Sequence, residues 1–366
     1  MIMTDHLIQR RPPPGDLLAE FHERPPDYQG EIVPYYPSPL PRTRENTLYL
    51  AVAQVGLGNN TEAGLPVLAR EIAAQKPEES EFYQILGEAW MNAGKPREAR
   101  AAYERAAQLN PKSTRAFRDL ASALSAIGEG PPAGEMLRRA LAIAPGDPIT
   151  WYRAGLREFT DGNFAGAEQK LRKAIELDPY LPDQSRNLAE VLVKAGKIDG
   201  AQAALRDALR TDPYDDAAWD LGGRILTEKG QMPDAFFHFE KAVRLRPAFG
   251  PYLYDYALAL VRADRFDEAQ GRVEEALRAD PSLPDAHELL GGLFVRKRQL
   301  AEAASEYRRT LELQPASSRA HLRLGNVLAA QGDVRAASEH LREAAKSSDA
   351  AIARQAVQAL SEIGAR

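Results

Sequence analysis

Side chains able to do chemistry are present in this sequence, but not in working arrangements. Its six histidines are His6, His22, His238, His287, His321 and His340, and it has no cysteine. Without Cys there is no disulfide, no cysteine nucleophile, no thiolate zinc site and no haem attached covalently to this chain. His287-Glu288 opens like the zinc-protease motif His-Glu-x-x-His, but residue 291 is Gly, so the second ligand is missing. Gly56-x-Gly58 runs into Asn59, Asn60 and Thr61 and is no dinucleotide fingerprint. Ala93-Gly94-Lys95 and Ala195-Gly196-Lys197 lack the earlier Gly and the Ser/Thr of a phosphate loop. Carboxylates are plentiful, yet no pair stands out as an acid/base dyad. These patterns predict no enzymatic activity, no metal site and no cofactor.

Charge and hydropathy exclude further classes. The chain has 366 residues, and 47 Lys+Arg against 52 Asp+Glu leave a net charge of −5. Counterion release needs a basic surface, so no nucleic-acid partner is expected. No apolar run approaches the roughly 18 residues of a membrane span. Met1 to Arg11 holds only the short apolar runs Met1-Ile2-Met3 and Leu7-Ile8, with no apolar core of about seven or more, so no secretory signal is visible and the chain reads as cytoplasmic.

The elements that must position any functional side chain follow from a repeat. Pro77, Pro111, Pro145, Pro179, Pro213, Pro247, Pro281 and Pro315 are each 34 residues apart. Taking this proline as position 32 starts nine repeats, at 46, 80, 114, 148, 182, 216, 250, 284 and 318. Position 8 is then always Gly or Ala: Ala53, Gly87, Ala121, Gly155, Ala189, Gly223, Ala257, Gly291 and Gly325. Position 20 is Ala from Ala99 to Ala337, and Leu65 in the first repeat. Position 24 carries Tyr103, Leu137, Leu171, Leu205, Phe239, Val273, Tyr307 and Leu341. Within a repeat, apolar residues recur every three or four positions, which predicts two amphipathic helices. Gly near position 15 (Gly94, Gly128, Gly162, Gly196, Gly230, Gly332) marks the turn between them, and the position-32 proline stops the second. Small residues at 8 and 20 let the helix axes approach, while larger ones at 4, 7, 11 and 24 fill the gap. His287 and His321 stand at position 4 and read as packing residues.

This pattern resembles the tetratricopeptide repeat family over residues 46–351. The resemblance implies an all-α, right-handed α-solenoid of about nine helical hairpins. Ile352, Ala356, Leu360 and Ile363 share one face of a C-terminal capping helix over 352–366. By analogy with the family, positions 2, 5, 9 and 12 line a concave groove for a protein or peptide ligand. Those positions supply Arg118, Tyr152, Leu156, Phe159, Arg186, Glu190, Asp220, Arg224, Tyr254 and Leu258. Aromatic and aliphatic residues with Arg nearby have the composition of a binding hot spot, expected at Tyr152, Phe159, Arg186, Arg224 and Tyr254. The alternative is that Tyr152 and Phe159 pack against neighbouring helices. Two family specialisations are absent. The chaperone-tail clamp lacks its basic and Asn residues around Asn187, and the asparagine ladder at position 6 reads Asp119, Arg153, Asn187, Leu221, Asp255, Leu289 and Arg323.

Residues 1–45 hold nine prolines and no sustained period, and Pro34 to Pro41 predicts an extended stretch near polyproline II. Met3 to Arg11 followed by Pro-rich sequence also resembles the junction in bacterial multihaem c-type cytochromes that continue into tetratricopeptide repeats. There the residue matching His6 is a haem axial ligand. The family's Cys-x-x-Cys-His motifs are missing here, so the resemblance implies an alternative role. The chain would be the C-terminal repeat arm of a split or truncated periplasmic cytochrome, with a haem-bearing polypeptide as partner.

Overall fold

Proline and glycine punctuate each repeat, and the helices begin and end where they stand. The computed structural model describes residues 8–10, 32–34, 43–56 and 61–364. They divide into two compact bodies, one of the described residues up to Gln184 and one of those from Ser185 on. The N-terminal body holds helices α1 (Arg44–Gly56), α2 (Thr61–Gln75), α3 (Ser80–Asn92), α4 (Pro96–Leu109), α5 (Thr114–Ala126), α6 (Gly130–Ile143), α7 (Pro148–Thr160) and α8 (Phe164–Leu177). The C-terminal body holds α9 (Gln184–Lys194, whose first residue closes the other body), α10 (Ile198–Thr211), α11 (Asp216–Glu228), α12 (Met232–Leu245), α13 (Gly250–Arg262), α14 (Phe266–Ala279), α15 (Pro284–Arg296), α16 (Leu300–Leu313), α17 (Ser318–Ala330), α18 (Val334–Ala345) and α19 (Ala350–Glu362). Consecutive helices form one hairpin per repeat, and each body is a stack of such hairpins. His6 and residues 35–41 of the leader lie outside the described residues.

Local chemistry sets the boundaries. Ser113, Asp147, Asp215 and Ser317, at position 34, each cap the first helix of the following repeat, accepting a hydrogen bond from the amide three residues on. The position-15 glycines have φ between +69° and +90°. Around them the next amide reaches back to a carbonyl five residues earlier, as in Lys95 N–H to Trp90 O at 2.9 Å and Asp333 N–H to Leu328 O at 2.9 Å. This is the Schellman closure of a helix. Repeats seven and eight have no glycine there, yet Asp264 and Arg298 adopt the same left-handed conformation at φ +58° and +60°.

The hairpin contact explains the small residues. A Cβ built on Gly87 would lie 2.5 Å from the Tyr103 ring. At Gly155, Gly223, Gly291 and Gly325 it would come within 2.8 Å of Leu171, Phe239, Tyr307 and Leu341. Position 8 therefore receives the large side chain of position 24. The aromatic residues at 24 all face glycine, while Ala121, Ala189 and Ala257 share their repeats with Leu137, Leu205 and Val273. The position-20 alanines from Ala99 to Ala337 are completely buried.

Position 4 has a second task. The indole N–H of Trp151 donates to Pro145 O at 2.7 Å, and that of Trp219 to Pro213 O at 2.9 Å. Nε2 of His287 and of His321 lies 3.1 Å from the carbonyls of Pro281 and Pro315. A carbonyl only accepts, so these nitrogens carry the proton. The position-4 rings thus satisfy the carbonyl of the position-32 proline that ends the preceding helix.

Two features go beyond the sequence reading. Ile8–Arg10 (β1) and Ile32–Pro34 (β2) pair antiparallel in the leader, with Gln9 opposite Val33. β-Branched residues favour such pairing, and Pro34, with no N–H to donate, stands at its end. In the last repeat, Asp349 occupies the proline position and caps α19, accepting from the Ala351 amide at 2.8 Å. The helix then covers Leu322, Leu341 and Ala344 with Ala356, Ile352, Leu360 and Ile363.

Two measurements check this frame. Gly223→Ala should cost roughly 1–3 kcal/mol in urea unfolding through overpacking. Adding Phe239→Leu, which recreates the Ala121–Leu137 pairing, should recover most of it; two losses that simply add would break the assignment. Arg298→Gly should raise stability by roughly 0.5–1 kcal/mol, because glycine relieves the left-handed strain.

Candidate functional site

The first helices of consecutive repeats lie side by side, so positions 2, 5, 6, 9 and 10 of one repeat meet those of the next. In the N-terminal body this builds an open groove of about 440 Å³ between α5 and α7. Its floor includes Ala121 and Leu137, its apolar wall is Tyr152 and Leu156, and Ser122 and Ser125 form part of its rim. Arg153 and Arg157 also line it. Arg157 is held by Asp161, its Nε 2.9 Å from the carboxylate. Arg153 contacts the Ser122 hydroxyl and lies 3.5 Å from Asp119. Burial lowers the Arg153 guanidinium pKa and raises that of the Asp119 carboxyl, against the pull of their mutual charge.

Several expected groove residues are committed elsewhere. Arg118 Nη1 lies 3.1 Å from Asp147, the carboxylate that caps α7. Arg186 Nε lies 2.8 Å from Asp215, which caps α11. Both pairs join position 5 of a repeat to position 34, the cap of the next, and so clip repeats together. Phe159 packs on Phe164 of its own hairpin, with ring centroids 5.9 Å apart. Tyr152 and Leu156 remain half-buried on the groove wall.

In the C-terminal body the same face is charged. Asp220 on α11 and Asp255 on α13 stand at positions 5 and 6 of adjacent repeats, near enough for the charge of Asp255 to act on Asp220. Arg224 faces both, at 3.8 and 3.9 Å. The Asp220 side chain is 6% exposed. Burial first, then the Asp255 charge, push its carboxyl up to about 8. Tyr254 is half-buried against the cluster around Tyr256 and Leu260. Burial, with Asp285 and Asp255 nearby, pushes its phenol up to about 12. Glu190 and Leu258 are half-buried. Further along, Glu288 accepts from Arg319 Nε at 2.9 Å and pairs with Arg323, whose Nε is 2.9 Å from Oε1.

Positional analogy left out position 6, where Asp119, Arg153, Asp255 and Arg323 act. The sequence carries a signal there: from repeat three to repeat nine, position 6 is charged or amide-bearing in five of seven. Among the described residues no three His, Asp or Glu side chains could hold a metal ion, and no helix is long and apolar enough to cross a membrane.

Asp220 makes stability depend on pH. Its folded pKa lies above its unfolded one, so the folded state holds the extra proton between pH about 4 and 8 and loses that advantage as pH rises through the window. Asp220→Asn should therefore stabilise the protein increasingly over that range, by roughly 1–3 kcal/mol at pH 8. Thermal melts at pH 5 and pH 8 read the difference, and an equal effect at both would contradict the burial argument.

Comparison with known proteins agrees with the repeat fold. A profile described as the cytochrome c-type biogenesis protein H TPR domain matches residues 198–320. Tetratricopeptide repeat profiles match 91–154, 158–225 and 293–352. The TPR repeat-containing thioredoxin TTL4 of Arabidopsis thaliana is 34% identical over 74 residues, which is 20% of this chain and 11% of that protein. The chain thus spans about a tenth of that relative. Among solved structures, the APC/C hetero-tetramer Cut9-Hcn1 superposes with a TM-score of 0.57 at 14% identity, covering 79% of this chain and 57% of that one. PilF of Pseudomonas aeruginosa gives 0.52 at 21% identity, covering 58% of this chain and 96% of that one. These two share the fold. With the profiles spread over residues 91–352 and a 34-residue hairpin in every repeat, the chain belongs to the tetratricopeptide repeat family.

Proposed function

We propose that this chain is a non-catalytic scaffold that holds a segment of another protein against the first-helix face of its repeats. The observation that carries this reading is the 440 Å³ groove walled by Tyr152 and Leu156. An apolar wall with arginines and hydroxyls at its edge suits a bulky side chain flanked by polar contacts. A groove of this size takes one or two anchoring side chains, and its rim can bond their backbone. Burial of such anchors in a preformed pocket supplies most of the affinity in protein recognition.

A second reading is favoured by one observation, the match of residues 198–320 to a TPR domain named for cytochrome c-type biogenesis. In that reading the partner is a haem-bearing polypeptide and the chain is an accessory to a c-type cytochrome. In-frame Cys-x-x-Cys-His codons directly upstream of the gene would favour it, and unrelated sequence behind a ribosome-binding site would count against it.

The scaffold reading is tested by selecting peptides from a random displayed library on the purified chain. Peptides with a large apolar anchor should emerge. Tyr152→Ala with Leu156→Ala should weaken those that use the groove by on the order of a hundredfold with the circular dichroism melt little changed. Failure to select any peptide, or unchanged affinity in the double variant, would remove the groove from the function.

A further inference from the structure

Position 5 of a first helix carries a buried carboxylate in two repeats of the C-terminal body, and its surroundings differ. In repeat eight Glu288 is met by Arg319 and Arg323, which occupy positions 2 and 6 of the next repeat, with Nε–O distances of 2.7 and 2.9 Å. In repeat six the equivalent residue is Asp220, and positions 2 and 6 of the next repeat are Pro251 and Asp255. The neighbour that supplies two guanidinium groups in one place supplies a proline and a second acid in the other. Arg224, the cation facing both aspartates, stays 3.8 and 3.9 Å away, beyond hydrogen-bond distance. Oδ1 of Asp220 is buried and has no hydrogen-bond partner. Asp216, the next acid along α11, is occupied by the Tyr252 hydroxyl at 3.0 Å and by Arg246 at 3.7 Å. Glu190, on the preceding first helix, is half-buried and makes no ion pair among the described residues. The repeat frame therefore leaves this stretch short of positive charge.

We propose that Asp255, backed by Asp220, anchors a lysine or arginine side chain of the segment bound on the first-helix face of the C-terminal body. This rests on the reading that the face binds a protein segment. The Asp255 side chain is a quarter exposed and offers the contact, while Asp220 lies buried behind it with its Oδ1 unpartnered. A cation from outside fills the place that Arg319 and Arg323 fill at Glu288. A metal ion fits less well, because no third carboxylate or imidazole converges there among the described residues and hard cations want six or more oxygens. The partially desolvated setting makes one such contact worth more than an exposed ion pair.

The experiment selects random displayed peptides on the wild-type chain and on Asp220→Asn/Asp255→Asn. Asn keeps the shape of each side chain, and thermal melts at pH 7 confirm the fold. The wild type should enrich Lys or Arg at one peptide position, and the double variant should lose that enrichment while still selecting apolar anchors. Replacing the enriched lysine by norleucine should weaken binding to the wild type on the order of tenfold and leave binding to the variant unchanged. Peptides selected without a basic residue, or with the same basic preference on both proteins, overturn the proposal while leaving the scaffold reading intact. No selected peptide at all removes the scaffold reading, and this inference with it.

Discussion

One contact sets the rest of this molecule: the crossing of the two helices in each hairpin, where position 24 of the second enters the space left by position 8 of the first. Glycine at 87, 223 and 291 admits Tyr103, Phe239 and Tyr307, whose rings would otherwise meet a Cβ at under 3 Å. Alanine at position 20 removes the next obstacle, and it is fully buried in every repeat from Ala99 onward. Close packing at one crossing fixes the angle and register of the whole hairpin. With the hairpin fixed, each position number acquires a constant direction in space. That constancy allows thirty-four-residue arithmetic to say which side chains meet between repeats.

A second layer of contacts ties one hairpin to the next. The position-4 rings of Trp151, Trp219, His287 and His321 donate to the carbonyl of the proline that ends the previous helix. Arg118 and Arg186 reach the aspartates that cap the following first helix. Both devices satisfy groups that a helix terminus leaves open, and do so across a repeat boundary. A hairpin buries one face against each neighbour, so these polar ties sit where apolar packing thins out. They also withdraw Arg118 and Arg186 from the surface available to a ligand.

The sequence was legible where residue size alone decides. The period, the two helices, the position-8 and position-20 contacts and the capping face of Ile352, Ala356, Leu360 and Ile363 could all be read from spacing. It was less legible where the fold overrides a residue's preference. Nothing local places Arg298 in the left-handed region; the turn between two packed helices imposes it. The β1–β2 ribbon was equally hidden, because pairing across more than twenty residues leaves no periodic trace in a Pro-rich stretch. Position analogy put Arg118, Arg186 and Phe159 toward a groove, and the partners that hold them, Asp147, Asp215 and Phe164, are residues whose roles only geometry assigns. The 29-residue offset shared by Arg118–Asp147 and Arg186–Asp215 was visible in the numbering, but it gains meaning only once position 34 is known to cap the next helix.

A frame this regular separates the residues it needs from those it does not. Positions 8, 20 and 24 vary only in size. Position 6 is under no such restraint, and it alternates between Asp119 paired to Arg153, Asp255 facing Asp220, and Arg323 paired to Glu288. Each of these choices leaves the hairpin crossing intact while changing the sign and completeness of charge on the first-helix face. Specificity in a repeat scaffold can therefore change one position at a time, because the contacts that fold a repeat and those that face a partner fall on different numbers of the same count. The same independence explains why a buried, incompletely paired acid such as Asp220 is tolerated. Its cost falls on one interface in a stack whose stability is summed over nearest neighbours, and the adjoining crossings, Gly223 with Phe239 among them, hold the helices in place.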